Sequence, residues 1–154
     1  MKKLLDKKIT ELLPHREPFL FVDKILFVDS TKIVTSKTIR EDEGYLKGHF
    51  PDNPIVPGVL IIESMAQSAG LLLAHESNNK TNNAKHIDML YLSRVTDIKL
   101  KASVFPEETL TISAELLGQF TGSAKFSVKV EAKGKIVAEG ELVLSTKKKN
   151  GGGK

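Results

Sequence analysis

The chain has 154 residues, of which 40% are hydrophobic and 27% charged, and it contains neither cysteine nor tryptophan. This length suits one domain, which would bury about two-thirds of its unfolded surface. The absence of cysteine excludes disulfides and thiolate metal sites, so packing must supply the stability.

The formal net charge of +4 comes from the C-terminus. Residues 147–154 hold four of the 23 basic residues and no acid, so 19 basic residues face 19 acidic residues in the rest of the chain (23 − 4 = 19). We therefore predict one domain over residues 1–146 and a disordered or appended Gly- and Lys-rich tail over residues 147–154. Nucleic-acid binding is not expected, because no basic stripe with interleaved aromatic residues accompanies the charge.

The N-terminus is basic and lacks the long apolar run of a signal peptide. No run of 18 apolar residues occurs, so no membrane span is expected. These features favour a cytoplasmic protein.

The first part of the chain predicts a short helix over residues 4–13, ended by Pro14. Strands follow over residues 19–28 and 31–39, with Asp29-Ser30 as their turn. Residues 41–58 are rich in Gly and Pro and predict a long loop, which in a compact domain is usually functional.

Residues 59–76 predict a helix that is apolar on most sides and therefore buried, followed by a polar loop over residues 77–86. A hairpin turn is predicted at Lys133-Gly134-Lys135. Strand-like patterns occupy residues 89–104, 110–116, 126–130 and 136–145. Short connections favour antiparallel pairing, so the prediction is an α+β domain whose sheet curls around one central helix.

Of the four histidines, His49 has the most informative context. It lies in Gly48-His49-Phe50-Pro51, just ahead of the buried helix. His75, near a helix C-terminus, and His86, in a polar loop, are interpreted as structural or surface residues. For His15 we expect a packing or hydrogen-bonding role.

Glu63 is unusual because it lies one turn into the predicted buried helix. Carboxylates are rarely buried unless paired, and a carboxyl in apolar surroundings suits acid–base chemistry. Alternatively, Glu63 belongs to a solvated polar stripe with Ser64, Gln67 and Ser68. Gln67 is one turn further along and within reach of Glu63. The residues alone leave both interpretations open.

Pro57-Gly58 begins the buried helix, where the first N–H groups lack internal partners and carry the positive end of the helix dipole. Gly58 permits close approach to a carbonyl oxygen that becomes negative during a reaction, although Pro-Gly is also a common helix start. With His49 and Glu63 it forms a set suited to proton abstraction beside a carbonyl. No nucleophile elbow, metal-ligand set or phosphate-binding loop is found.

Two sequence blocks resemble the 3-hydroxyacyl-[acyl-carrier-protein] dehydratases of type II fatty-acid synthesis. They are Leu-Pro-His-Arg-Glu-Pro-Phe-Leu-Phe-Val-Asp at residues 13–23 and Gly-His-Phe-Pro-Asp-Asn-Pro-Ile-Val-Pro-Gly-Val-Leu-Ile-Ile-Glu-Ser-Met-Ala-Gln at residues 48–67. The resemblance extends over roughly residues 8–145 and implies a hot-dog fold, in which a long antiparallel sheet wraps around a central helix.

The resemblance also implies the chemistry. His49 of one subunit would remove the C2 proton, and Glu63 of the other would help expel the C3 hydroxyl, giving a trans-2-enoyl thioester. The Gly58 N–H would polarise the thioester carbonyl, and Val59, Phe50 and Gln67 would join Gly58 in binding the substrate. The resemblance implies no cofactor and no metal.

The implied partners are an acyl carrier protein and a second copy of the chain, in a homodimer or a trimer of dimers. Carrier proteins are acidic, so a basic patch is expected near the site. The candidates are Lys47, Arg94, Lys99 and Lys101.

Isomerising relatives typically carry Asp where this chain has Glu63, so the plain dehydratase is favoured. Residues 100–108 lack the Arg-Pro and Gly-Asp pairs usual in the family, and Asp52 replaces a usual Gly. These departures suit a paralogue from a specialised pathway. Two alternatives remain: a hot-dog thioesterase, which would release free acid and thiol, and a non-catalytic acyl-binding hot-dog protein.

Overall fold

The computed structural model describes residues 7–81 and 89–146. The tail predicted at residues 147–154 lies outside the described residues. In chain order the elements are helix α1 (Ile9–Leu12), strands β1 (Lys24–Val28) and β2 (Lys32–Thr38), a 3-10 turn (Gly44–Lys47), helix α2 (Gly58–Thr81) and strands β3 (Leu90–Leu100), β4 (Thr109–Phe120), β5 (Ser123–Ala132) and β6 (Lys135–Thr146).

The strands form one six-stranded sheet in the order β1-β2-β4-β5-β6-β3, and every neighbouring pair is antiparallel. Helix α2 packs against β2 to β6. Alternation along the strands creates the buried face: in β5, Ala124, Phe126, Val128, Val130 and Ala132 are buried, while their neighbours are more exposed. The predicted α+β fold, with an antiparallel sheet around one central helix, is confirmed.

Two tight turns form where the sequence predicts them. Asp29 Oδ1 accepts hydrogen bonds from the backbone N–H groups of Thr31 and Lys32, each at 2.8 Å, and so closes the turn between β1 and β2. These bonds hold the pKa of Asp29 below its ordinary value. Lys133 and Gly134 both have positive φ, 49° and 72°, which is typical of the type I′ hairpin that joins β5 to β6.

Strand β1 begins at Lys24, whereas the pattern predicts a strand from residue 19. The backbone of the preceding residues has another partner: the side-chain amide of Gln67 binds Phe19 O and Phe21 N. Backbone groups engaged by a helix side chain are not available for a strand ladder.

The helices also differ from their predicted bounds. Helix α1 is described only from Ile9, and residues 1–6 lie outside the described chain. Helix α2 continues to Thr81, so the loop predicted over residues 77–86 is wrong for residues 77–81. A formed helix extends at small cost per residue even through polar residues.

Within residues 7–81 and 89–146, one helix is long and apolar enough to cross a membrane by length and composition, namely the Gly58–Ser77 part of α2. Within its apolar window, 67% of the residues are buried inside the protein. The core helix of a globular domain meets the same criteria, and the sheet packed around α2 makes that interpretation the better one.

Candidate active site

His49 lies in the loop between the 3-10 turn and α2, and backbone hydrogen bonds hold this loop. Ile55 N donates to His49 O at 2.9 Å, and His49 Nδ1 lies 2.9 Å from Ile55 O. A carbonyl oxygen only accepts, so the proton must be on Nδ1. Neutral His49 therefore has a free lone pair on Nε2, which makes this atom a potential base.

The start of α2 lies beside His49. Leu60 N and Ile61 N both donate to Pro57 O, so the Gly58 and Val59 N–H groups precede the first hydrogen bonds of the helix. A Cβ on Gly58 would lie 2.3 Å from Leu100 Cδ1, so a larger residue here would displace the Leu100 side chain at the edge of the cavity.

His49 and Gly58 share a cavity of about 350 Å³, which we call the His49 cavity. Its other walls come from the loop before α2, from α2 itself and from the end of β3 with the residues that follow it. They include Val56, Ile61, Leu100, Lys101 and Ser103. A potential base and a helix N-terminus thus border the same cavity.

Glu63 lies on α2 with 20% of its side chain exposed. Gln67, one turn further along, donates from Nε2 to Glu63 Oε1 at 3.1 Å, as predicted from their spacing. The same amide nitrogen donates to Phe19 O at 3.1 Å, and its oxygen accepts from Phe21 N at 2.8 Å. Gln67 is only 2% exposed, and its amide is committed to protein groups.

His15 is the residue whose position the sequence did not reveal. Its Nε2 lies 3.5 Å from Glu63 Oε1. The residue for which we expected a packing or hydrogen-bonding role is therefore a neighbour of the candidate acid. The signal available in the sequence was its place, within Pro14-His15-Arg16, in the first of the two blocks that resemble the dehydratases. That block gives no distance to a residue 48 positions later, because the contact depends on how the N-terminal segment crosses α2.

Glu63 and His15 border a second cavity of about 170 Å³, which we call the Glu63 cavity. Apolar groups from the N-terminal segment, α2 and the start of β3 complete it. They include Leu13, Ala66, Leu90, Tyr91, Leu92 and Leu144. A single carboxyl among mainly apolar residues corresponds to the interpretation of Glu63 as a carboxyl in apolar surroundings, and not to a fully solvated polar stripe.

The two cavities lie on opposite sides of α2. At roughly 100° per residue, Gly58 and Ile61 point about 160° away from the mean direction of Glu63, Ala66, Gln67 and Gly70. His49 and Glu63 therefore belong to separate half-sites in one chain, and neither lines the other's cavity.

The remaining predicted residues lie near these half-sites to different degrees. Phe50 stacks on the His49 ring with the ring centroids 4.3 Å apart, and it is half exposed. Val59 is 71% exposed on the first turn of α2. Among the basic candidates, Lys101 lines the His49 cavity and pairs with Glu139, while Lys99 lines a separate polar groove on the sheet.

Solved structures of similar shape identify the fold. A dehydratase heterocomplex, ApeI:P from Xenorhabdus doucetiae, superposes with a TM-score of 0.80 at 19% identity, covering 93% of each chain. A hypothetical thioesterase with coenzyme A from Streptococcus pneumoniae has a TM-score of 0.59 at 12% identity, covering 80% of this chain and 84% of its own. The fold is the hot-dog fold shared by such dehydratases and thioesterases.

The sequence then defines the family. The FabA-like domain matches residues 13–147, and the chain belongs to this family. It is 40% identical over 146 residues to the 3-hydroxyacyl-[acyl-carrier-protein] dehydratase FabZ of Ruminiclostridium cellulolyticum, covering 94% of this chain and 99% of the relative. It is 35% identical over 144 residues to the FabZ of Thiobacillus denitrificans, covering 93% and 97%.

Proposed function

We propose that the chain is a hydro-lyase that converts 3-hydroxyacyl thioesters on acyl carrier protein into trans-2-enoyl thioesters, in fatty-acid or related acyl-chain biosynthesis. The observation that carries this proposal is the pair of half-sites: a histidine whose Nε2 has a free lone pair beside a helix N-terminus, and a carboxyl in a cavity lined mainly by apolar residues. Membership of the FabA-like family and the near full-length FabZ relatives support it.

The proposed step balances without a cofactor. His49 Nε2 takes the C2 proton, the C–H electrons form the C2–C3 double bond, and the C3–O bond breaks. Glu63 gives a proton to the departing hydroxyl, which leaves as water. The N–H groups at Gly58 and Val59 stabilise the negative charge that builds up on the thioester oxygen. Transfer of the His49 proton to Glu63 restores the starting state.

The half-sites can be joined by a second copy of the chain. Strand β3 pairs with β6 on one side, and among the described strands nothing covers its other edge. Large apolar side chains on β3 are exposed, including Tyr91 at 44%, Val95 at 43% and Leu100 at 53%. An exposed apolar edge strand is a pairing surface.

Antiparallel pairing of two β3 strands about Val95, the middle of Leu90–Leu100, would bring the two half-sites together. The Leu90–Leu92 end, which lines the Glu63 cavity, would lie next to Leu100 of the partner subunit, which lines the His49 cavity. We therefore propose a homodimer with two shared sites, each combining His49 of one chain with Glu63 of the other. A trimer of dimers is a further assembly that this pairing permits.

The substrate-binding roles follow from this arrangement. Gly58, Val59 and Phe50 border the thioester side of the site, and Gln67 acts by holding Glu63. Lys101 is the basic residue best placed to meet an acidic carrier protein, because it lines the His49 cavity. A cytoplasmic location fits the proposal, since the long apolar helix is the core of the domain.

Turnover of a 3-hydroxyacyl carrier protein by the purified full chain tests the function. We expect loss of one water from the carrier-bound acyl group by mass spectrometry, without release of free thiol. His49→Ala should lower kcat by about a hundredfold to ten-thousandfold, since it removes the base. Lys135→Ala, which is exposed and lines neither cavity, is the matched control. Free thiol release would support the thioesterase instead, and normal turnover by His49→Ala would refute the assignment.

Mixing two inactive variants tests the shared site. A dimer of one His49→Ala chain and one Glu63→Gln chain contains one intact site out of two. When the subunits of an equal mixture exchange at random, about half of the dimers are of this mixed kind, so about a quarter of wild-type activity should return. If both residues came from one chain, no activity would return after mixing.

A further inference from the structure

We propose that His15 is a positioning residue for Glu63: it holds the Oε1 atom of the carboxyl, so that Oε2 is the atom that delivers the proton. This inference rests on the proposed function and adds a residue to it. His15 is 27% exposed, lies outside α2 and reaches the carboxyl from the N-terminal segment.

Two donors converge on one oxygen of Glu63. Gln67 Nε2 lies 3.1 Å from Oε1, and His15 Nε2 lies 3.5 Å from the same atom. The second distance exceeds that of a formed hydrogen bond, but catalytic hydrogen bonds are often long until the substrate closes the site. No protein donor contacts Oε2 among residues 7–81 and 89–146. The oxygen without a protein donor is the one free to exchange a proton.

The other nitrogen of His15 fixes its tautomer. Nδ1 is buried and has no hydrogen-bond partner in the described part of the chain. A buried N–H without an acceptor is rarer in proteins than an unpaired acceptor, so the proton belongs on Nε2. In this tautomer, the nitrogen that lies 3.5 Å from Glu63 Oε1 is the one that carries the proton, so it can donate when the two atoms come closer.

The backbone around His15 is held on both sides. Arg16 Nη1 donates to Leu13 O at 2.9 Å and to His15 O at 2.7 Å, which fixes the turn after α1. Further along, Gln67 binds Phe19 O and Phe21 N. Gln67 thus connects the segment that carries His15 to the helix that carries Glu63. Such mutual support is what a precisely oriented acid requires.

Three substitutions separate positioning from packing. His15→Gln places an amide N–H near the Nε2 position, His15→Asn reaches only the Nδ1 position, and His15→Phe keeps a ring without nitrogen. With the full-length protein and a 3-hydroxyacyl carrier protein, His15→Phe and His15→Asn should lower kcat about tenfold to a hundredfold, with KM within about threefold. His15→Gln should recover most of kcat. Thermal unfolding checks that all three variants fold.

A double-variant cycle shows whether His15 acts through Glu63. In a Glu63→Gln background, His15→Phe should cost less than about threefold more, because the acid it positions is already gone. A full multiplicative loss, a His15→Gln variant as slow as His15→Phe, or unchanged kcat in His15→Phe would each overturn the inference. Those results leave the proposed function intact, which fails separately if the wild-type chain forms no enoyl product.

Discussion

The N-terminal half of the chain contains two groups of partly or fully buried charged residues, and they differ in how completely their charged atoms are paired. The carboxylate cluster (His15, Glu63 and Gln67) leaves one carboxyl oxygen without a protein donor. In the lysine cluster (Asp23, Lys37 and Glu43), Lys37 is 1% exposed and lies 2.9 Å from Glu43 and 3.4 Å from Asp23. The carboxylate cluster therefore leaves a carboxyl oxygen available to a substrate. In the lysine cluster the charged groups pair with one another, and these pairs join β2 to the segment before the 3-10 turn.

The lysine cluster is electrostatic in character. Neither Lys37 Nζ nor Glu43 Oε1 finds a well-aligned hydrogen bond in the described part of the chain, although the two atoms are in ion-pair contact. Arg40 lies 3.7 Å from Glu43 and adds a second positive charge. Such a buried pair adds little net stability over apolar residues, but losing one member is costly because the other charge stays buried.

The largest expected effect concerns the carboxylate cluster. Glu63→Gln keeps an oxygen for Gln67 and His15 to bind but removes the acid. We expect kcat to fall by about a hundredfold to ten-thousandfold, with unfolding free energy unchanged within about 0.5 kcal/mol. Steady-state kinetics and urea unfolding measure both quantities. A large loss of stability would mean that Glu63 is structural and would remove the contrast between the clusters.

The next effect concerns the lysine cluster. Lys37→Met leaves Glu43, which is 5% exposed, without its nearest cation. We expect the unfolding free energy to fall by about 3 kcal/mol, measured by urea unfolding. Lys125→Met is the matched control, because Lys125 and Glu141 form an exposed pair and should contribute less than about 1 kcal/mol. Equal losses in both variants would contradict the assignment of Lys37 to a buried cluster.

The smallest effect concerns Tyr45, beside the lysine cluster. Its hydroxyl is buried without a hydrogen-bond partner in the described residues, and burial first, then the charge of Glu43, raises its pKa above the ordinary 10.0. Above about pH 10 the unfolded chain releases this proton while the folded chain keeps it, so stability falls as pH rises. Tyr45→Phe should lack this alkaline loss. Urea unfolding at several pH values between about pH 9 and pH 11 measures the unfolding free energy of both proteins. An equal fall of this free energy in the wild type and in Tyr45→Phe would contradict the prediction.

The fold was largely predictable because local chemistry and packing agree. Alternating apolar residues in β5 mark the inner face of the sheet, and Lys133-Gly134 adopts the positive φ angles that a two-residue hairpin needs. The start of β1 was not predictable, because the backbone of Phe19 and Phe21 binds a side chain more than 45 positions away. Local propensity does not include such a partner.

The candidate site was predictable in its residue types but not in its geometry. His49, Gly58 and Glu63 stand out for being polar or conformationally special around a buried helix. That they fall into two cavities on opposite sides of α2 depends on how the sheet wraps around the helix. The contact of His15 with Glu63 likewise arises from tertiary structure alone.

Helix α2 has one further consequence in the proposed dimer. Its first turn would serve one active site, while Glu63, less than two turns later, would serve the other. A rotation of this helix about its axis would therefore alter both sites at once. Because α2 is packed on most sides, it would move as a rigid body rather than deform locally. The two sites of a dimer would then be mechanically connected through two shared helices.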